Sequence, residues 1–130
     1  MNKFFQFNEF IELGKIFSDC TAYLIALEYF DKAIALSYLP INKERLVGAY
    51  KLRAGVKTFL SRYWESIADY SKAIELDPKN PELYYLRGMS YSYLNQNQEA
   101  LKNLKKSLEI EPNFSLALST IDYLENKKNS

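Results

Sequence analysis

Few side chains in this sequence are suited to catalysis. The chain has no histidine, so it lacks both the commonest general base and the commonest metal ligand. Its single cysteine, Cys20, therefore has no imidazole to activate it, and the carboxylates of Glu109 and Glu111 are interpreted as surface charges. The sequence also lacks a glycine-rich phosphate loop and a cluster of metal-ligating residues. We expect a chain that is not an enzyme and that binds no metal and no cofactor.

Composition and charge narrow the class of protein further. The 130 residues carry a formal charge of +1, with 48% hydrophobic and 25% charged residues, the ordinary mix of one globular domain. Lys102, Lys105 and Lys106 form only a short basic cluster, which predicts a solvated helix face and no nucleic-acid partner. No segment approaches the ~20 apolar residues of a membrane span, and the first residues lack the apolar run of a secretory signal. With its lone cysteine, the chain is predicted to be cytoplasmic and to make no membrane contact.

The sequence repeats itself. Residues 66–78 align without a gap on residues 100–112 at an offset of 34, and residues 50–54 align on residues 84–88. An upstream copy ends in residues 26–36, but its offset to the second copy is 40, so six extra residues separate the first two copies. A period of 20 to 50 residues indicates a solenoid built from one supersecondary unit.

The small residues recur in register through all three copies, and large partners such as Phe30, Tyr70 and Tyr84 recur with them. Small residues let two helices approach closely, while aromatic side chains fill the space beside them. In this respect the sequence resembles the tetratricopeptide repeat family, and Pro78 and Pro112 close two copies as that family requires. The small positions are Gly14, Ala26, Ala33, Ala54, Ser66, Ala73, Gly88, Ala100 and Ser107.

The resemblance implies an all-α protein, a right-handed α-α superhelix of about seven antiparallel helices. Residues 1–130 are predicted to form a single tetratricopeptide domain, with a closing helix that is apolar on its inner face and covers the open end of the last repeat. The predicted repeats cover residues 7–40, 47–80 and 81–114, with the capping helix at residues 115–127. The predicted helices cover residues 8–18, 21–37, 42–60, 63–76, 97–110 and 115–126, with a further helix starting at Pro81 after an Asn80 N-cap.

The chain departs from the family pattern at several positions. Arg53 and Arg87 occupy the seventh position, where the family more often has leucine, and Lys57 stands where tyrosine is usual. Asp69 lies one helix before Arg87, so we predict an ion pair between successive repeats. Trp64, near the start of a helix, is predicted to be a packing anchor.

In tetratricopeptide proteins the first helix of each repeat lines a concave groove, which identifies the candidate binding residues. Gly48 and Gly55 lie on one face of a helix in which each costs about 1 kcal/mol relative to alanine. Either they leave a depression for a partner, or they are merely tolerated. The candidate groove residues are Ile11, Lys15, Gly48, Lys51, Leu52, Gly55, Tyr85, Met89 and Tyr123.

The predicted function is a non-catalytic scaffold or adaptor that binds a peptide or protein segment in this groove. Apolar side chains would anchor the segment, while Lys15 and Lys51 would orient an acidic group. The alternative is a structural subunit whose groove or capping helix is buried in a homo-oligomer. One class of the family grips the C-terminal carboxylate of heat-shock chaperones, but at those positions this chain has Ile11, Lys15, Leu52, Glu82 and Leu86, so that binding mode is not expected.

Overall fold

The structure, a computed structural model, describes residues 2–128. These residues form seven α-helices and no β-strand. The all-α helical repeat architecture expected from the sequence is therefore confirmed. The helices are α1 Lys3–Asp19, α2 Tyr23–Ile34, α3 Lys43–Phe59, α4 Tyr63–Leu76, α5 Pro81–Tyr93, α6 Asn97–Ile110 and α7 Ser115–Lys128.

Asparagine side chains start three of the helices. Asn42 accepts hydrogen bonds from the backbone N–H groups of Glu44 and Arg45, so α3 begins where the sequence predicts it. Asn80 caps α5 in the same way ahead of Pro81. Asn2 caps α1, which therefore begins five residues earlier than predicted.

The end of α2 also differs from the prediction. The helix ends at Ile34, three residues before the predicted end. The N–H groups of Leu36 and Ser37 then donate to carbonyls three residues back, which tightens the chain into a turn. The six extra residues are thus shared between this turn and an extra N-terminal turn of α3.

The small residues predicted from the repeat bring the helices of each hairpin together. Ala26, Ala54 and Ala100 are fully buried where α1 packs on α2, α3 on α4 and α5 on α6. Contact is closest at Gly14, where a Cβ atom would overlap the Phe30 ring. Interiors packed this densely leave no room for an added methyl group.

The last helix covers the end of the solenoid. Ala117 and Leu124 of α7 are buried against Ala100 and Leu104 of α6. The outward face of α7 keeps Leu116, Leu118 and Tyr123 about half exposed or more (the C-terminal residues 129 and 130 lie outside the described part of the chain). A helix that is apolar inward covers the open face of the last repeat.

Each of the three turns inside a hairpin contains one residue with a left-handed backbone. Thr21, Ser61 and Asn95 have φ angles of 59°, 60° and 58°. This conformation costs L-residues roughly 1–2 kcal/mol, and asparagine tolerates it better than a β-branched residue such as threonine. The three turns therefore share one backbone conformation, and the strain at the left-handed residue decreases from Thr21 to Ser61 to Asn95.

A polar network joins the first two repeats. It shows that the predicted ion pair between Asp69 and Arg87 is wrong, because Asp69 pairs with other residues. Arg53 Nε and Nη2 donate to the two oxygens of Asp69, each at 2.8 Å, and Nη1 donates to Asp31 at 3.0 Å. Lys57 Nζ lies 3.0 Å from Asp69, so the carboxylate is saturated by its own repeat and does not reach Arg87. Burial lowers the pKa of Arg53, but the hydrogen bonds and charges of Asp69 and Asp31 raise it more, so the net pKa is raised.

Aromatic rings stack along the edge formed by the hairpin turns. Tyr23 stacks on Phe59 at 4.9 Å between ring centroids, and Tyr63 stacks on Tyr93 at 5.1 Å. Trp64 makes an edge contact with Tyr91 but is 58% exposed, so it is not the packing anchor predicted from the sequence. Its position at the second residue of α4 turns the indole toward this outer edge.

Candidate functional site

Several of the predicted groove residues line a cleft of about 510 Å³ between α1 and α3. Five of the nine predicted groove residues line it: Ile11, Lys15, Gly48, Lys51 and Leu52. They come together because the first helices of repeats 1 and 2 lie side by side and present equivalent faces. We call this site the α1–α3 cleft. Its other lining residues are Phe7, Asn8, Glu12, Arg45 and Ala49.

The floor of the α1–α3 cleft is apolar. Phe7 is 1% exposed, and Ile11 and Leu52 are half-buried against the core of the first two repeats. Gly48 deepens the floor, since a Cβ atom there would meet no heavy atom within 4 Å outside its own helix. An apolar side chain of a ligand can therefore reach the floor beside Gly48 and remove apolar surface from water.

Cations surround this floor. Lys15 pairs with Glu12 at 3.1 Å and Lys51 with Glu82 of α5 at 3.0 Å, so both lysines already have a carboxylate within the chain. Arg45 donates to the Asn8 carboxamide at 3.3 Å and has no ion-pair partner among residues 2–127. Arg45 is therefore the cation that is free to receive an anionic group.

The remaining four predicted groove residues lie elsewhere. Gly55 is two turns beyond Gly48 on α3 and does not line the α1–α3 cleft. Tyr85 packs edge-on against Phe114, with ring centroids 5.3 Å apart. Met89 and Tyr123 line a second, smaller cleft of about 300 Å³ between α5 and α7.

Sequence reasoning missed Phe7 and Arg45. The family pattern assigns groove positions by counting from the first residue of each repeat. It therefore assigns none to Arg45, which lies in the extra turn of α3 that precedes Val47. The signal was nevertheless present, because Arg45 is three residues before Gly48 and so lies on the same helix face. The extra N-terminal turn of α3 thus forms one wall of the α1–α3 cleft.

The described residues offer a surface for binding. They contain no group of three or more His, Cys, Asp or Glu side chains that could hold a metal ion. Cys20 is exposed and unpaired at the α1–α2 turn. No helix within residues 2–128 is long and apolar enough to cross a bilayer.

Comparison with known families agrees with the repeat geometry. A family model described as "TPR repeat" matches residues 60–94, and one described as "Tetratricopeptide repeat" matches residues 81–114. The first segment contains α4 and α5, the second helix of repeat 2 and the first helix of repeat 3. The second segment contains α5 and α6, the helix pair of repeat 3. The fold and the groove define a helical-repeat protein. With these matches, the chain is a tetratricopeptide repeat protein.

One similar protein matches more than half of this chain. Mouse sperm-associated antigen 1 is 39% identical over 77 residues, which cover 59% of this chain but only 8% of that protein. The chain therefore spans less than a tenth of this relative's length.

Two solved structures share the fold over almost their whole length. The Arabidopsis OM64 TPR domain superimposes with a TM-score of 0.81 at 22% identity, over 93% of this chain and 95% of that one. The second TPR domain of human RPAP3, in complex with the HSP70 peptide SGPTIEEVD, gives a TM-score of 0.83 at 21% identity, over 95% and 98%. At these identities the likeness concerns the fold.

Proposed function

We propose that this chain is a non-catalytic protein-interaction scaffold that binds a peptide or protein segment in its concave groove, centred on the α1–α3 cleft. The observation that carries the proposal is the cleft itself: an apolar floor at Ile11 and Leu52, opened by Gly48 and bordered by Arg45. Binding sites are typically concave and mostly apolar, with a few placed polar groups. The proposed role makes or breaks no covalent bond.

The cleft favours a segment with an apolar side chain next to an acidic one. The apolar side chain would fill the space over Gly48, where each buried CH₂ contributes about 0.8 kcal/mol. The acidic group would pair with the Arg45 guanidinium, which can bind a carboxylate through two parallel hydrogen bonds. Lys15 and Lys51 add positive potential, although Glu12 and Glu82 partly neutralise them.

The HSP70 peptide bound by the human RPAP3 domain is a useful probe of this mode. None of the family's carboxylate-clamp positions holds the residue that a clamp needs, so we propose that binding here does not depend on a free C-terminal carboxylate. In this chain those positions hold Ile11, Lys15, Leu52, Glu82 and Leu86. Peptide SGPTIEEVD and the same peptide with an amidated C-terminus should then bind within about twofold of each other, as measured by fluorescence anisotropy. A clamp would lose tenfold or more on amidation, since each lost charge-assisted contact costs roughly 1.5–3 kcal/mol.

The position of the ligand is tested by filling the cleft. Nonapeptides with an apolar–acidic pair would be selected by display against the chain and titrated against variants. We expect Gly48→Leu to weaken the selected peptide at least about tenfold, because the new side chain occupies the open space. Ala68→Leu, at an exposed position of α4, is the matched control and should bind like the parent. Equal binding by Gly48→Leu and the parent would place the ligand elsewhere.

A Gly55→Leu variant determines how far the groove extends. Space is open at Gly55 as well, although this residue does not line the cleft. Loss of binding in both glycine variants would extend the bound segment along α3, as predicted for the groove from the sequence. Loss in Gly48→Leu alone would confine it to the α1–α3 cleft.

Self-association is the second candidate role, and the outward face of α7 favours it. Leu116 is 52% exposed, Leu118 is 48% exposed and Tyr123 is 63% exposed. Leu116 and Tyr123 are seven residues apart and so lie on one side of α7, and exposed apolar side chains that lie together commonly mark an interface. In this role the capping helix, or the groove beside it, would be covered by a second copy of the chain.

A further inference from the structure

Repeats 2 and 3 place an arginine at the same position but give it different partners. Arg53 contacts Asp69 of its own repeat and Asp31 of the preceding one, both carboxylates. Arg87 repeats this geometry: Nε donates to Asn103 of its own repeat at 2.7 Å, and Nη1 donates to Ser71 of the preceding one at 3.1 Å. Both partners of Arg87 are neutral, so its charge is not compensated by the groups that hold it.

One nitrogen of Arg87 is also left for a ligand. All three nitrogens of Arg53 donate to carboxylate oxygens. Arg87 Nη2 has no hydrogen-bond partner among the described residues, because Asn103 has only one acceptor oxygen, which Nε uses. The Asn103 amide nitrogen is a donor, and it is bonded to the carbonyl of Glu99. No buried side-chain nitrogen or oxygen in the described residues lacks a partner, so Nη2 keeps some surface in contact with solvent.

Arg87 lines a cleft of about 470 Å³ between α5 and α6, which we call the α5–α6 cleft. Lys102 and Lys106 of α6 share it with two carboxylates, Glu99 and Glu109. Lys106 is paired with Glu109 at 3.2 Å. Arg87 and Lys102 therefore remain as cations without a carboxylate partner among the described residues, against the single unpaired carboxylate of Glu99.

The α5–α6 cleft is separate from the groove. The groove positions of α5 include Tyr85 and Met89, whereas the cleft is lined by Tyr84, Arg87 and Tyr91. At about 100° per residue, the two sets point roughly 150° apart around the helix axis. A ligand in one site does not cover the other.

We propose that the α5–α6 cleft is a second binding site, which takes an oxyanion of the phosphoryl or carboxylate type presented by a side chain of a partner protein. Arg87 would donate from Nη2, and Lys102 would supply the second charge. Asn103 has a positioning role, because it holds the guanidinium in place without neutralising it. This proposal is independent of the groove function.

The internal pair of arginines supplies a matched test. Inorganic phosphate and acetate would be titrated into the isotope-labelled chain, and the arginine Nε–H and backbone N–H resonances followed by NMR. We expect the Arg87 resonance to shift with millimolar affinity, while the Arg53 resonance, already held by two carboxylates, stays fixed. An equal response at both arginines would show an adventitious ion only, and no response at Arg87 would show that no anion binds there. Either result would overturn the proposal.

Two variants make the test specific. Asn103→Asp gives repeat 3 the carboxylate that repeat 2 has at the equivalent position, and should reduce the affinity for phosphate at least about fivefold. Lys102→Gln, at an exposed residue, should weaken it without affecting the fold. Unchanged phosphate affinity in both variants would refute the site. Gly48→Leu should leave the phosphate response intact, which separates this site from the groove.

The source of the oxyanion is distinguished with three short peptides that differ only at one position, which is phosphoserine, glutamate or alanine. A stronger Arg87 response to either acidic peptide than to the alanine peptide supports the site and assigns its ligand. Equal responses to all three peptides would contradict it.

Discussion

Tyr70 is a single residue whose chemistry sets an upper pH limit on stability. It is only 3% exposed in the core between α3, α4 and α5, and burial raises the pKa of its phenol to about 12. A pKa raised in the folded state means that the fold favours the neutral phenol. This contribution is fully present below the ordinary pKa of about 10 and is lost as pH rises toward 12.

Replacing Tyr70 with phenylalanine should therefore flatten the alkaline limb of the stability curve. Between about pH 9 and pH 12 the parent should lose up to roughly 3 kcal/mol more free energy of unfolding than Tyr70→Phe, as measured by urea titration at each pH. Tyr123→Phe, at a 63% exposed position, serves as the control and should follow the parent. Parallel curves for Tyr70→Phe and the parent would show that Tyr70 does not limit stability in alkali.

Individual side-chain partners were the least predictable part of the molecule. The sequence shows that Asp69 and Arg87 are available for pairing, but it does not show that Arg53 and Lys57 reach Asp69 first. Partner choice depends on where long side chains end in space, and that is decided by packing between helices. Arg45 was missed for a similar reason, since its role depends on the extra turn of α3.

At the level of helices, glycines make a clear contrast. Gly14 of α1 and Gly48 of α3 are both helical, but only Gly14 lies directly against another side chain, the buried ring of Phe30. We expect Gly14→Ala to lower the free energy of unfolding by about 1–3 kcal/mol through overpacking. Gly48→Ala should raise it by up to about 1 kcal/mol, because alanine is the better helix former and its methyl group meets open space. Urea denaturation measures both, and effects of the same sign would be inconsistent with these environments.

Helix boundaries were predicted well wherever the repeat is regular. The bounds of α4 and α6 match the prediction to the residue, because each lies between a fixed turn and the end of a 34-residue unit. The bounds of α1 and α2 were wrong by up to five residues, since the first repeat lacks the closing proline and α1 begins at an N-cap, Asn2, that lies before the first repeat. Periodicity thus predicts elements, while local capping determines their ends.

For the molecule as a whole, the two proposed roles predict different oligomeric states. The scaffold proposal predicts a monomer of 15.2 kDa at about 10 μM in size-exclusion chromatography with light scattering. Self-association through α7 would instead give a multiple of this mass that returns to the monomer in a Leu116→Ser, Tyr123→Ser variant. A stable dimer that persists in this variant would contradict both the monomeric scaffold and self-association through α7. The interface would then lie elsewhere, for example at the aromatic edge formed by the stacked rings at the hairpin turns.

That aromatic edge has a spectroscopic consequence. Trp64 is the only tryptophan in the chain, and it touches Tyr91 of the next repeat with ring centroids 6.1 Å apart. Tyrosine excitation will therefore pass to one indole located at the junction between the second and third repeats. If the third repeat frays before the rest, the indole emission will change early in denaturation, ahead of the loss of helical circular dichroism. The chain carries its own optical reporter of how cooperatively a three-repeat solenoid comes apart.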